Sequence, residues 1–500
     1  MIESPTAAAD ARAERRTKYH EADVVVVGAG VFGCAIAYAL GQQGRSVILL
    51  ERWMKEPDRI VGELLQPGGI VALRQLGLAD TLEGIDAIPC YGYKVSFHGD
   101  GIDIPYPSFD ENGRMIHPSE NDSASASAKQ KEGKCFHHGR FINNLRIACM
   151  RQENITIVET EVTATIRGDD KDTVLGVRSK TTDAATGQKK DDYFFGQLTI
   201  IADGYASKFR KEYLPQEPVV KSKFYALELI DAPMLSPGYG HVCIGNAFPV
   251  LLYQIGTHET RALIDVPANI PEASPAAGGV RGYIKNVVMP TLPPQMRPCF
   301  EAALADGKIP RSMPNSYLPP SRQTANGMLL LGDALNMRHP LTGGGMTVAF
   351  NDCVILSDLL HPSRVTDLAD PVALKGVLRE FHWRRKSLTS IINVLAMALY
   401  ALFAANDRQL RALQMGCFSY FQRGHASEPM ALMGGLLHQP GKLAYHFFSV
   451  AFLAIWLNAL NLMGGSVFGF LKAPLALIDG ILILWRASVV FLPVMWRELR

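Results

Sequence analysis

Several classes of protein are disfavoured by what this sequence lacks. Its 500 residues contain no long run of Lys and Arg, and the formal net charge is +2, so we do not expect nucleic-acid binding. The eight cysteines are scattered and include no CxxC pair, which favours reduced thiols facing the cytosol over a disulfide framework. No HExxH motif or Cys/His cluster at metal spacing occurs, so no metal site is predicted.

The two ends of the chain lack different things. The first 22 residues contain no apolar core of a secretory signal, and residues 1–21 are predicted to form a polar tail. From Leu443 to Leu471 there is no charged residue over 29 positions, whereas roughly 20 suffice to cross a bilayer. A second apolar segment, 473–496, is interrupted by Asp479 and Arg486. Ionised groups are costly at bilayer depth, so we favour two helices embedded in one leaflet over spanning helices.

A glycine-rich turn connects a strand and a helix near the start of the chain. The apolar, β-branched run 24–27 predicts a buried parallel strand, and Gly28-x-Gly30-x-x-Gly33 follows it. Glu51 ends the next strand, 18 positions after Gly33. The glycines permit a tight turn, approach of a pyrophosphate and close helix packing, and the carboxylate can accept hydrogen bonds from ribose hydroxyls. The pattern predicts a dinucleotide site, without choosing between NAD and FAD.

Two further glycine turns follow apolar strands. Asp203-Gly204 closes one strand and Gly332-Asp333 closes another, and HPLTGGGM, His339 to Met346, comes soon after. Three such turns in this order resemble those of the FAD-dependent aromatic hydroxylase and monooxygenase superfamily. The resemblance implies that Asp333 binds the ribityl chain of FAD. It also implies that the glycine loop lies beside the pyrimidine edge of the flavin.

Longer strings resemble the squalene epoxidase family within that superfamily. They are KEPDRIVGELLQPGG (55–69), FHHGRFINNLR (136–146), ADGYASKFRK (202–211), LPPS (318–321) and LLLGDALNMRHPLTGGGMTVAFND (329–352). The resemblance runs from about Ala22 to the end of the chain. It implies a flavin monooxygenase that epoxidises squalene to (S)-2,3-oxidosqualene through a C4a-hydroperoxyflavin, in sterol or triterpenoid biosynthesis.

The resemblance also implies partners and a location. The expected substrates are squalene and O₂, and the expected electron donor is NADPH–cytochrome P450 reductase. Squalene should enter from membrane lipid. The expected location is the endoplasmic reticulum or microsomal membrane, with the catalytic domain facing the cytosol.

Site residues follow from the glycine turns and from the resemblance. Tyr93 is expected to support the substrate pocket through a hydrogen bond to Gln66, and these two are the candidate catalytic residues. Arg59 and Arg140 are expected to hold phosphate oxygens, because the guanidinium fork suits them; a salt bridge is the alternative role. The residues expected to bind FAD are Gly28, Gly30, Val31, Phe32, Gly33, Glu51, Arg52, Arg59, Leu64, Arg140, Val162, Asp203, Gly332, Asp333, Pro340, Gly343, Gly344, Gly345 and Met346.

The predicted fold class is α/β, with a discontinuous, GR2-like Rossmann-type FAD-binding domain, a β-sheet substrate domain and a C-terminal helical membrane-associated region. The FAD-binding domain is predicted at 22–92, 137–215 and 320–380. The substrate domain is predicted at 93–136 and 216–319, with a mobile insert at 119–134 because that segment has almost no apolar residues. Residues 381–500 are predicted to form the membrane-anchoring region. Apolar walls for the substrate are expected from 225–230, 248–255 and the helices after Phe381.

Three alternative functions remain open at the level of sequence. The chain could be an epoxidase paralogue that acts on a related triterpene in a secondary pathway. It could be a flavin-dependent prenyl reductase, which saturates similar chains without O₂. It could also be a catalytically silent FAD-bound lipid carrier.

Overall fold

The structure, a computed structural model, describes residues 5–97, 99–116, 129–170, 172–183, 186–245, 247–464 and 469–499. The strands are β1 Glu21–Val27, β2 Val47–Glu51, β3 Leu64–Leu65, β4 Ile88–Cys90, β5 Gly92–Phe97, β6 Asp100–Pro105, β7 Ser108–Phe109, β8 Met115–Ile116, β9 Lys129–Gln130, β10 Gly133–Cys135, β11 Ile155–Glu159, β12 Glu161–Arg167, β13 Val174–Thr182, β14 Lys189–Ile201, β15 Val219–Ile230, β16 Tyr239–Ile244, β17 Val250–Gln254, β18 Glu259–Pro267, β19 Arg311–Tyr317 and β20 Met328–Leu330. The α-helices are α1 Pro5–Lys18, α2 Val31–Gln42, α3 Pro67–Gln75, α4 His138–Met150, α5 Arg210–Tyr213, α6 Gly279–Tyr283, α7 Arg297–Ala303, α8 Gly345–Leu359, α9 Pro371–Arg384, α10 Lys386–Phe403, α11 Arg408–Gln422, α12 Ser427–Met433, α13 Pro440–Met463 and α14 Ala473–Leu499.

The first large sheet carries the three glycine turns. Its strand order is β11-β2-β1-β14-β13-β12, and β20 pairs with β14. β1 is parallel to both β2 and β14, and β20 is parallel to β14. Parallel strands end at one edge of a sheet, so the turns after β1, β14 and β20 meet there. This confirms the predicted α/β class with a Rossmann-type arrangement.

A second large sheet is built from two separate stretches of chain. Its order is β19-β15-β18-β17-β16-β5-β6, and all neighbours are antiparallel except β16 and β5. One side contributes apolar residues such as Leu251 and Leu263 to a core shared with Leu64 and Leu341. On the other side, residues of β15, β17 and β18 pack against Tyr283 of α6 and Phe300 of α7. The sheet is therefore covered by helices on one side and faces the cofactor-binding region on the other.

In two segments the structure differs from what the sequence predicts. Residues 5–18 of the predicted polar tail form α1, which is held in place because Arg16 is buried and donates to Thr156 Oγ1 (3.0 Å). Of the predicted mobile insert at 119–134, residues 119–128 lie outside the described residues. Residues 129–130 and 133–135 form β9 and β10, and β10 pairs with β3 and β4. Backbone pairing thus orders the end of a segment whose side chains are mostly polar.

The C-terminal region is a bundle of five helices, α10 to α14. Leu402 of α10, Leu413 of α11, Ala454 of α13 and Ile483 of α14 share one buried apolar core. Among the described residues, three helices, at 386–403, 440–463 and 473–498, are long and apolar enough to cross a membrane by length and composition. The helical region predicted from the sequence is therefore present, with α10 and α11 as its inner layer.

Candidate active site

A cleft lies between the two large sheets, where the three glycine turns meet. It encloses about 1550 Å³, including its opening to solvent. One part of its wall carries the glycine turns: it has bare backbone at Gly30, Gly204, Gly332 and Gly345, polar side chains at Arg59, His138 and Asp333, and the apolar side chains of Val31, Phe32 and Met346. Another part is apolar and is formed by Leu64, Leu251, Leu252, Leu263, Met313 and Leu341. A single cleft therefore offers both a polar, backbone-lined part and a hydrocarbon part.

Each glycine of the first turn is needed for a different structural reason. A Cβ on Gly28, whose φ is +102°, would lie 2.5 Å from the carbonyl oxygen of Ala202, and a Cβ on Gly33 would lie 1.8 Å from that of Gly28. A Cβ on Gly30 would meet no protein atom within 4 Å, and Gly30 faces the cleft. α2 begins at the next residue and presents its unpaired N–H groups there. Space and hydrogen-bond donors at this turn fit the pyrophosphate of a dinucleotide.

Glu51 is fixed beside this turn by three contacts. Its Oε2 accepts from the backbone N–H of Ala29 (2.8 Å), and its Oε1 accepts from that of Trp53 (3.0 Å). Arg146 lies 3.6 Å from Oε2 and donates from Nε to the carbonyl oxygen of Ala29 (3.0 Å). Arg146 was not predicted, although the string 136–146 that suggested the family ends on it. The carboxylate is thus held at the turn that would bind the nucleotide.

The second and third turns are joined by another arginine that the sequence did not reveal. Arg210 donates from Nε to the carbonyl oxygen of Ala334 (3.0 Å) and from Nη2 to that of Asp333 (2.9 Å). Asp203 is half-buried beside this contact, and burial raises its pKa. Arg59 lies across the cleft with its Nη2 3.8 Å from the Asp333 carboxylate. Among the described residues, the Nε of Arg59 is buried without a hydrogen-bond partner, as suits a phosphate-binding guanidinium.

The three glycines of the loop Gly343 to Gly345 also have different roles. A Cβ on Gly343 (φ +62°) would lie 2.7 Å from Leu64 Cδ2, and one on Gly344 would lie 2.5 Å from Ile392 Cγ2. A Cβ on Gly345 would meet nothing within 4 Å, and this residue begins α8 and faces the cleft. Gly344 therefore serves packing in this structure. Open approach to a flavin ring falls to Gly345 and the first turn of α8.

Gln66 and Tyr93 are brought together as expected from the family resemblance. Gln66 Nε2 donates to Tyr93 Oη (2.7 Å) and to the carbonyl oxygen of Thr342, and all three residues are buried. Tyr106 donates from its hydroxyl to Gln66 Oε1 and so fixes which way the amide faces. Burial raises the pKa of Tyr93, so its phenol stays neutral. Tyr93 is also one of the residues that line the cleft. Tyr106 was not predicted, because only the folded chain places it next to residue 66.

His138 is a further wall residue that the sequence did not single out. Its Nδ1 lies 2.8 Å from the carbonyl oxygen of Gly62, so Nδ1 carries the proton and donates. Burial lowers its pKa to about 3, which keeps the ring neutral. Nε2 is then a hydrogen-bond acceptor in a residue that lines the cleft.

The apolar wall comes mainly from the second sheet. Of the predicted segments, 248–255 supplies Leu251, Leu252 and Tyr253, whereas 225–230 contributes Ala226 to the core beneath the cleft. Beside Tyr253, Glu63 is buried in a bidentate pair with Arg261 (Oε1 to Nη2, 2.8 Å).

Eight of the predicted FAD-binding residues are not part of the cleft wall; Gly28, Gly33, Glu51 and Gly344 are described above, and the other four are Arg52, Arg140, Val162 and Asp203. Arg52 is exposed and its guanidinium stacks 3.9 Å from the centre of the Trp53 ring. Arg140 is half-buried with its Nη1 3.5 Å from the carbonyl oxygen of Ile85, and Val162 is buried in β12. Asp203 belongs to the second turn but is not among the residues that line the cleft. Direct contact of these four with FAD remains a prediction.

Comparisons with known proteins agree with this geometry. A family model described as squalene epoxidase matches residues 195–478, and one described as FAD dependent oxidoreductase matches 23–55. The squalene epoxidase ERG1 of Gibberella zeae is 64% identical over 98% of both chains. The squalene epoxidase erg1 of Aspergillus fumigatus is 51% identical over 98% of this chain and 96% of its own. The squalene monooxygenase of Mus musculus is 38% identical over 96% of this chain and 78% of its own.

Solved structures agree with the fold. PqsL of Pseudomonas aeruginosa, solved with 2-aminobenzoylacetate, superposes with a TM-score of 0.60 at 21% identity and covers 78% of this chain and 98% of its own. The flavin-dependent brominase Bmp2, as a triple mutant, gives 0.64 at 13% identity over 85% and 98%. At these identities the likeness shows a shared fold and nothing about substrate.

Proposed function

The chain belongs to the squalene epoxidase family, and we propose that it is a membrane-associated, FAD-dependent monooxygenase that converts squalene and O₂ to 2,3-oxidosqualene for sterol or triterpenoid synthesis. The observation that carries this proposal is the composition of one cleft. Three glycine turns and Asp333 line part of it, and apolar side chains of the second sheet line another part. A flavin monooxygenase with a hydrocarbon substrate needs both in one space.

The residues that would hold FAD are those at the turns. Backbone N–H groups at Gly30 and the start of α2 would bind the pyrophosphate, and Glu51 would accept from the adenosine ribose. Asp333 would accept from the ribityl hydroxyls. Gly345 would let the start of α8 approach the ring edge with its positive dipole end. When bound and reduced, FAD would activate O₂, one atom of which would be transferred to the alkene while the other would leave as water.

The chain itself positions the alkene and excludes water. Leu64, Leu251, Leu263, Met313 and Leu341 line the cleft with apolar side chains, so a flexible isoprenoid is more stable against this wall than in water. A dry site would also keep the activated oxygen from being lost as hydrogen peroxide before it reaches the alkene.

Gln66 and Tyr93 would define the polar end of the substrate site. The hydrogen bond from Gln66 occupies a lone pair of the Tyr93 oxygen, and Thr342, whose carbonyl oxygen is the other partner, belongs to the turn just before the glycine loop. The pair therefore ties the second sheet, through Tyr93, to the loop that would face the flavin. Its role would be to set the distance between alkene and flavin.

Membrane association follows from the exposed face of the last two helices. Exposed apolar residues of α14 recur every three or four positions, at Leu475, Ile478, Leu482, Trp485, Val489, Leu492 and Trp496. This spacing places them on one side of the helix, away from the core shared with α10 and α11. A continuous apolar face of this kind suits insertion into one leaflet. We propose the endoplasmic reticulum membrane, with the cleft on the cytosolic side.

The proposed electron donor is NADPH–cytochrome P450 reductase. The sequence contains a single GxGxxG, at Gly28 to Gly33, and the cleft already assigns it to FAD. A separate protein would then deliver electrons from NADPH to the flavin.

One assay separates the proposal from its rivals. Detergent-solubilised protein is incubated with squalene, the reductase, NADPH and isotopically labelled O₂, and the product is analysed by mass spectrometry. We expect one labelled oxygen in 2,3-oxidosqualene. A saturated, unlabelled product would indicate a prenyl reductase, and no substrate-dependent flavin reoxidation would indicate a lipid carrier. Faster turnover of an oxygenated triterpene than of squalene would indicate the secondary-pathway paralogue.

A further inference from the structure

A buried carboxylate in the last turn of α14 is joined to the cofactor side of the cleft. Glu498 is 1% exposed, and its Oε1 accepts from Asn393 Nδ2 of α10 (2.8 Å). Lys386, at the start of α10, donates to the backbone carbonyl oxygen of Glu498. The last turn of a helix with a lipid-facing side is thus held by α10 through both side chain and backbone.

The contact continues from α10 into the segment that follows the third glycine turn. The same Nδ2 of Asn393 lies 3.2 Å from Asn336 Oδ1, which also accepts from Arg338 Nη2 (2.6 Å). Asn336 Nδ2 donates to the carbonyl oxygen of Leu318 (2.7 Å). Asn336 and Arg338 line the cleft, and Asn336 follows Asp333 by three positions. Two hydrogen bonds therefore connect Glu498 to the segment that would hold the ribityl chain.

Buried cations lie near this carboxylate. Arg338, Arg385 and Lys386 are all buried around it. Arg385 is paired with Asp352 through contacts of 2.6 and 3.1 Å. Burial raises the pKa of Glu498 even beside these cations, and its contact with Asn393 needs only an acceptor oxygen at this position.

We propose that Glu498 is a positioning residue for the FAD site, and this rests on the cofactor assignment made above. By holding Asn393, it sets the orientation of Asn336 and Arg338 and so fixes the backbone on which Asp333 is carried. Glu498 is not among the residues that line the cleft, so it acts through its neighbours. The last turn of the proposed membrane helix is then a structural part of the flavin site.

The test measures FAD binding directly on the full-length, detergent-solubilised protein. The apo form of each variant is titrated with FAD by fluorescence, and kcat, the KM for squalene and hydrogen peroxide release are measured on the loaded form. We expect Glu498→Ala to weaken FAD binding about tenfold or more and to increase peroxide release, with little change in the KM for squalene. Glu498→Gln keeps the acceptor for Asn393 and should bind FAD within about threefold of the parent. Arg497→Gln, an exposed neighbour on the same turn, is the matched control.

A double substitution distinguishes positioning from general stabilisation. If Glu498 acts through Asn336, the loss of FAD affinity in Glu498→Ala with Asn336→Ala should be smaller than the two single losses combined. Unchanged FAD affinity in Glu498→Ala, an equal loss in Arg497→Gln, or fully additive losses would overturn the proposal. Should Glu498→Ala fail to fold, Glu498→Asp takes its place, because it keeps the charge and withdraws the carboxylate from Asn393. FAD titration requires no squalene turnover, so its outcome is separate from that of the epoxidation assay.

Discussion

The buried pair of Glu63 and Arg261 offers the most quantitative prediction. The two side chains are 1% and 9% exposed, and three contacts of 2.8, 3.0 and 3.2 Å join them. Tyr253 also donates to Glu63 (3.2 Å). Glu63→Ala would leave a guanidinium buried without its main partner and a tyrosine hydroxyl without its acceptor. Removing one member of such a pair typically costs about 3–5 kcal/mol.

A neighbouring carboxylate reduces the loss of stability expected for Glu63→Ala. Glu228 lies 3.3 Å from Arg261, but its side chain is 45% exposed, so it can compensate only in part. We therefore expect a loss in the free energy of unfolding near the lower end, about 3 kcal/mol. Replacing both charges, in Glu63→Gln with Arg261→Met, should recover most of it, because no unpaired charge remains buried. The exposed control, Glu228→Gln, should cost less than about 1 kcal/mol.

The assay is denaturant unfolding of the FAD-loaded protein in detergent, followed by circular dichroism and flavin fluorescence together. Coincident transitions are needed before one free energy is assigned to a chain of this size. A cost below about 0.5 kcal/mol for Glu63→Ala, a value typical of neutral surface changes, would refute the reasoning. So would a double variant less stable than Glu63→Ala. The pair also joins the segment before Leu64 to β18, so the cofactor-side and substrate-side walls should loosen together when it breaks.

Three further predictions concern the site, and a fourth concerns Asp265, a fully buried carboxylate of β18. Gly30→Ala should keep the fold and weaken FAD binding in a fluorescence titration, because the added Cβ would enter the open cleft. Gly33→Ala should prevent the protein from folding, because the added Cβ would lie 1.8 Å from a carbonyl oxygen. Asp333→Ala should purify without FAD, and full flavin absorbance would contradict its role. Gln66→Ala leaves several buried polar groups unpaired and should cost about 1–3 kcal/mol and raise the KM for squalene, as measured by unfolding and steady-state kinetics. Burial raises the pKa of Asp265 to about 6, so protonation of this carboxyl stabilises the folded state. The free energy of unfolding should therefore fall by roughly 3 kcal/mol as the pH rises from about 4 to about 6. Thermal unfolding of Asp265→Asn across the same pH range should not show this decrease.

Local patterns predicted the parts of the site that are made of backbone. The spacing of Gly28, Gly30 and Gly33 between an apolar strand and a helix indicated the first turn, because that geometry has few other solutions. The individual reasons for Gly343, Gly344 and Gly345 could not be predicted in the same way. They depend on Leu64 and Ile392, which are distant in sequence, and on the open cleft at Gly345.

Arg146 and Arg210 stand in strings that resemble the family, but no local pattern indicated which partners they or Tyr106 would contact. Arg146 lies 95 positions from Glu51, and Arg210 lies 123 positions from Asp333. Tyr106 lies 40 positions from Gln66. Each of these residues belongs to an ordinary helix or strand pattern, and only the pairing of sheets brings them to their partners. Contacts of this kind are specified by topology, so a periodicity or motif cannot reveal them.

The charged residues of the last helix do not face the surroundings that the sequence argument assumed for them. Asp479 and Arg486 argue against a spanning helix only if they face lipid. In the structure, Arg408 donates to Asp479 (2.7 Å), and Arg486 donates to Asp407 (2.8 Å), so both charges face the N-terminal end of α11. The case for insertion into one leaflet therefore depends on geometry instead, because α13 and α14 are covered by protein on one side and apolar on the other. Deleting them would expose the core of α10 and α11 and remove the contacts of Glu498, so membrane attachment is better tested by polar substitutions on the exposed face.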